Sequence, residues 1–169
     1  VSTQSTGMNF SKYYDSLNKT NEQYLKKVKL TAENVAESDD LQVMSDCLIL
    51  KSRLYKIGEF QGRSDFKFVC SADLQRISTE LFKECANLKK VVLLNQTEMS
   101  DYQCYCNGVF GKCKQLTEFH APELRWIPAI CFEGCCSLKT ISQQKVEKID
   151  SFAFTSCAFK AVAFPRLPV

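Results

Sequence analysis

The residues with the most chemistry to offer are ten cysteines in a chain of 169 residues. That density invites a disulfide framework or a metal site. Zinc is held by four ligands, normally from two paired-Cys knuckles or from Cys with His. The nearest approach to a knuckle is Cys104-Tyr-Cys106, and Cys135-Cys136 offers no such spacing. The chain has one histidine, His120. A Cys–His or Ser–His nucleophile needs that imidazole held by an orienting acid, and a lone exposed histidine is far more often plain surface. With 6 glycines there is no G-x-G-x-x-G or P-loop run to cradle a phosphate. No catalytic residue, cofactor or metal is expected.

Four of the cysteines answer to a different rule. Phe82, Phe110, Phe132 and Phe154 are separated by 28, 22 and 22 residues, and three residues after each stands Cys85, Cys113, Cys135 or Cys157. Other columns follow the same spacing. Eight before each Phe stand Leu74, Tyr102, Leu124 and Val146; five before stand Ile77, Tyr105, Ile127 and Ile149. Leu88, Leu116 and Leu138 come six after, and Val91, Phe119 and Ile141 nine after. In the fourth unit, one residue shorter, Phe159 and Val162 take those two places.

Such self-similarity is the signature of a repeat architecture. A unit of about 22 residues cannot bury its own apolar face, so it stacks on its neighbours and lays each column into a continuous core. Leu88-x-x-Val91-x-Leu93 ends in the period-two pattern of a half-buried strand. The expected fold is a mainly β repeat solenoid of four to five units with short strands over residues 51–169. Phe60 opens a degenerate first unit with Leu54 and Ile57 before it and Arg63 in the cysteine column. The six extra residues of the 28-residue step are placed as a loop around 95–101. The Cys85, Cys113, Cys135 and Cys157 column, with Cys131, reads as packing, since an unpaired Cys is small, soft and usually buried. Cys47, Cys70, Cys104, Cys106 and Cys136 stay outside the column, and a disulfide between two of them requires an oxidising compartment.

Residues 1–50 do not repeat. Tyr14, Leu17, Leu25 and Val28 fall near helical spacing over Ser11–Lys29, which predicts an N-terminal helix capping the stack or binding a partner. Leu41 to Ile57 alternates in the manner of short strands.

The repeat resembles the BspA-like leucine-rich repeats of bacteria and protists, whose unit reads roughly Leu-x-x-Ile-x-x-x-Ala-Phe-x-x-Cys-x-x-Leu-x-x-Ile-x-x-Pro. Val146-Glu-Lys-Ile-Asp-Ser-Phe-Ala-Phe-Thr-Ser-Cys157 matches closely, as does Leu124 to Ile141. The likeness covers about residues 74–165. It implies a leucine-rich-repeat solenoid whose open strand face binds other proteins. Here that face comprises Lys90, Val92 and Leu94; Glu118, His120 and Pro122; Thr140, Ser142 and Gln144; and Ala161, Ala163 and Pro165. His120 is expected in the phase that points away from the core.

A net charge of +3 with scattered Lys and Arg argues against nucleic acid. No apolar run approaches the roughly 18 residues needed to cross a bilayer. Cysteines in packing columns favour a reducing interior and a scaffold within a larger intracellular assembly. The sequons at Asn9, Asn18 and Asn95 keep a cell-surface adhesion role open. The start at Val1 suggests a processed or cut chain, and Leu167-Pro-Val169 reads as the opening of another unit, so further repeats or a docked partner are expected there.

Overall fold

The structure, a computed structural model, describes residues 41–44, 46–50, 53–71, 73–96, 98–99, 108–142, 145–158 and 164. They form ten short strands and no helix among the described residues: β1 (Leu41–Met44), β2 (Cys47–Leu50), β3 (Phe68–Ser71), β4 (Arg76–Ile77), β5 (Lys90–Leu93), β6 (Glu98–Met99), β7 (Glu118–His120), β8 (Trp126–Ile127), β9 (Thr140–Ser142) and β10 (Lys148–Ile149). The helix expected over Ser11–Lys29 lies outside the described residues.

The main sheet runs β1-β2-β3-β5-β7-β9. β1 folds back antiparallel on β2, and every later pairing is parallel. Parallel pairing at each step is what a coil of like units must give, because every strand enters its turn in the same direction. Register aligns Leu48, Val69, Val91, Phe119 and Ile141 into one inward row. Behind the sheet, two small parallel ladders, β4 with β6 and β8 with β10, make a second wall. A stack of turns closes the coil.

Two sequence expectations shift here. Ile77 pairs with Met99, not with Tyr105. The step from Ile77 to Met99 keeps the 22-residue spacing, so the extra residues enter between Met99 and Phe110 rather than at 95–101. Gln96, fully buried, stands three before Met99, as Leu74 stands three before Ile77. In the first unit, Tyr55 takes the Ile77 column and is buried, whereas Leu54 and Ile57 are exposed. The backbone fixes this: Arg53 accepts from the amides of Gln75 and Arg76, as Arg125 accepts from Glu147 and Lys148.

The phenylalanines form a ladder through the core. Ring centroids of Phe60, Phe82, Phe110, Phe132 and Phe154 follow one another at 5.4, 5.4, 5.3 and 5.4 Å. Strands in a sheet lie about 4.7–4.9 Å apart, so rings carried on the same coil stack with only a small offset, a favoured aromatic geometry. Phe119 meets Phe110 and Phe132 edge-on from the sheet side.

The turns carrying these rings are cross-linked by backbone. The amides of Phe60, Phe82, Phe110 and Phe132 donate to Leu81, Val109, Cys131 and Ala153 in the next unit. To aim these groups along the stack, the chain enters the left-handed region at up to two places per unit. Two before the Phe lie Gly58, Glu80, Ile130 and Phe152; two after lie Gly62, Glu84, Lys112, Gly134 and Ser156. Gly108 stands at the first place in its own unit but outside the left-handed region; there the close approach of the Ile130 backbone, not φ, calls for glycine. Phe152 (φ 61°) is 73% exposed, so its ring returns little for that conformation. Left-handed geometry costs a non-glycine residue about 1–2 kcal/mol, and glycine gives back about 0.5–1 kcal/mol through unfolded-state freedom. Phe152→Gly is expected to stabilise the fold by roughly 0.5–1 kcal/mol, read as a higher urea midpoint. A lower midpoint would show that the ring packs more than its exposure implies.

Candidate interaction face

Period-two alternation sends one set of strand residues inward and leaves the other on the outer side of the main sheet. Register makes two outer rows: Ile49, Cys70, Val92, His120 and Ser142; and Cys47, Phe68, Lys90, Glu118 and Thr140. The residues marked by the sequence as a face, Lys90, Val92, Glu118, His120, Thr140 and Ser142, are therefore brought into adjacent positions. They do not share one environment. Val92 is 1% exposed and Leu94 7%; Lys90, Glu118, His120 and Pro122 are half-buried, and Thr140 is exposed. The side chain of Ser142, all of Gln144, and Ala161 and Ala163 with Pro165 lie outside the described residues.

The face thus has two halves. Over β2, β3 and the Val92 end of β5 the outer residues are apolar and, apart from the half-buried Phe68, buried. Over β7 and β9 Glu118, His120 and Thr140 are polar and reach solvent. Lys90 and Glu118, paired in register, form an ion pair at 3.1 Å across the boundary. Partly exposed pairs of this kind add little stability, so their value here is to fix two charges side by side.

His120 sits at the same boundary, in the outward phase but half-buried rather than open. Burial lowers its pKa to about 4. The unfolded chain takes up this proton near pH 6.5 and the folded chain only near 4. Between those values the unfolded state binds more protons, so stability is full above about pH 6.5 and falls as pH drops. The urea midpoint is expected to decline from pH 7 to pH 5, and His120→Gln to flatten that decline. An unchanged slope in His120→Gln would place the imidazole in free water.

Eight cysteines are described and all are free thiols; Cys104 and Cys106 lie outside the described residues. No metal-ligating cluster of three or more groups occurs among the described residues. The column cysteines do more than the packing read from the sequence. Their Sγ–H groups donate to the carbonyl of the phenylalanine one unit earlier: Cys85 to Phe60 at 3.1 Å, Cys113 to Phe82 at 2.9 Å, Cys135 to Phe110 at 3.0 Å and Cys157 to Phe132 at 3.2 Å. Each of these carbonyls already accepts the amide three residues on in its own unit; the thiol fills its second lone pair from the next unit with little bulk. The first unit has no earlier phenylalanine in the ladder, so its column position is released to Arg63. That guanidinium pairs with Asp65 and lies over Phe60 and Phe66, 5.7 and 5.4 Å from their centroids. Burial raises the thiol pKa of Cys70 to about 12 and of Cys157 to about 11, so both are protonated at neutral pH and poor nucleophiles. Cys136 is the exposed thiol of the eight.

A family model described as BspA type leucine rich repeat region matches residues 56–167 as six copies, 112 of the 169 residues. No curated protein and no solved structure matches the chain.

Proposed function

Because the chain belongs to the BspA-type leucine-rich-repeat family, we propose that it is a non-catalytic protein-interaction module whose partner seats on the outer face over β7 and β9. Leucine-rich repeats generally bind other proteins across an extended strand face. The observation that carries the reading here is the change along that face from buried apolar residues to Lys90, Glu118, His120, Pro122 and Thr140, a strip of mixed polarity held in rigid register. Interfaces built on such a strip gain specificity from a few fixed polar groups rather than from area.

The test uses the tagged full chain recovered from its native cells. Thr140→Arg sets a large cation in the middle of the strip and should remove the co-purifying protein, whereas Lys114→Glu, exposed in the turn before β7, should retain it. Retention by Thr140→Arg, or equal loss from both variants, rejects the strip as the seat.

The favoured setting is an intracellular assembly, supported by eight free thiols of which six are buried. A cell-surface adhesion role is the second reading, and the exposed Asn95 of its sequon favours it. Intact mass of the native protein, with and without reduction, separates them. Unmodified mass with free thiols supports the scaffold; glycan mass or disulfides support the surface protein.

A further inference from the structure

The buried half of the outer face calls for a cover. Cys47, Ile49, Cys70 and Val92 are 0–1% exposed, yet none belongs to the core cluster enclosed between the two walls and the turns. An open sheet face would leave them wet, so part of this same chain lies over them. The second wall and the turns stand on the other side of the sheet.

Three stretches of some length outside the described residues could reach this patch. Residues 100–107 leave from β6 and return to Gly108, both on the far side of the core. Residues 159–163 and 165–169 follow Cys157, at the opposite end of the stack. Residues 1–40 lead directly into β1, which pairs with β2 at the edge of the patch. They also contain the helically spaced Tyr14, Leu17, Leu25 and Val28, an apolar stripe of the kind that seats on a sheet.

We propose that residues 11–29 occupy the outer face over β2, β3 and β5 by this stripe. The chain thereby reserves the apolar half of its own strand face and leaves the β7–β9 half to a partner. This does not rest on the strip over β7 and β9 being a partner's seat; the occupancy is tested within the chain alone.

In the full chain, Leu17→Asp with Leu25→Asp should lift the segment away. Maleimide labelling of Cys47 and Cys70, followed by peptide mass, is then expected to quicken by at least about tenfold, while the core thiols Cys85 and Cys113 stay protected. Unchanged protection of Cys47 and Cys70 overturns the proposal. If all four thiols label together the variant has unfolded, and crosslinking of the unaltered chain decides instead. A short amine-to-amine reagent should join Lys90 to Lys26, Lys27 or Lys29. Lys90 modified but never joined to those lysines overturns the proposal too.

Discussion

Gly108→Ala is expected to cost at least about 3 kcal/mol of stability, among the largest effects of any single methyl group in this chain. A Cβ at that position would lie 1.7 Å from the carbonyl oxygen of Ile130, 2.4 Å from its carbon and 2.6 Å from Cys131 Cα. All three atoms are backbone of the next unit, so no side chain can swing aside. Relief requires the two units to move apart, and the neighbouring turn bond from Phe110 N–H to Cys131 O, 2.9 Å long, would stretch with them. Gly62→Ala is the control. Its φ is +71° and a Cβ there meets nothing within 4 Å, so only conformational cost remains, about 1 kcal/mol. Urea unfolding of both variants separates close approach from left-handed strain. Equal losses would mean that the stack yields at Gly108 and that contact between units there is loose.

Phe110→Ala is expected to cost about 3–5 kcal/mol, a large share of the roughly 5–15 kcal/mol that holds an ordinary domain together. The ring is fully buried. It stacks on Phe82 and Phe132 at interplanar angles of 5° on both sides and receives the edge of Phe119. Removing it opens a cavity in the middle of the array, where the stability of every unit depends on contact with the next. Phe154→Ala, at a half-buried rung near the C-terminal end, is expected to cost under about 2 kcal/mol. Unfolding is also expected to lose cooperativity in Phe110→Ala and to keep it in Phe154→Ala, measured as a broadened urea transition. Similar losses and slopes for both would show that the ladder does not couple the units.

The repeat was legible because stacking gives every copy of a column the same surroundings. Phe82, Phe110, Phe132 and Phe154, with the cysteine three places on, needed only counting. Residue type misled where an insertion interrupts the count. Tyr102 and Tyr105 fit the apolar columns better than Gln96 does, yet strand register puts Met99 beside Ile77, and the buried Gln96 stands three before it. The constant 22-residue interval from Ile77 to Met99 was the signal that could have found them. Left-handed positions were hidden for another reason: glycine marks Gly58, Gly62 and Gly134, but Glu80, Lys112, Ile130 and Phe152 carry no trace of their φ. The outer face was legible as a location and not as an environment. Cys47-Leu-Ile-Leu50 and Val91-Val-Leu-Leu94 are unbroken apolar runs, which mark strands buried on both sides. Reading them by alternation alone gave Val92 and Leu94 to solvent.

The junction between units has a direction. Along the turns, main-chain N–H groups of the earlier unit donate forward to carbonyls of the later one, while the thiol of the later unit donates back to the phenylalanine carbonyl of the earlier. An interface of this kind is a plug and a socket. Its leading side offers amide protons along the turns and carbonyls along the strand walls, where Lys67, Lys89, Thr117 and Arg125 accept from the later unit, and its trailing side offers the complement, with one thiol among the donors. Two such arrays can be joined plug to socket, lengthening the coil without a seam. Joined plug to plug, they would set amide against amide. The fold therefore permits growth by splicing in only one orientation.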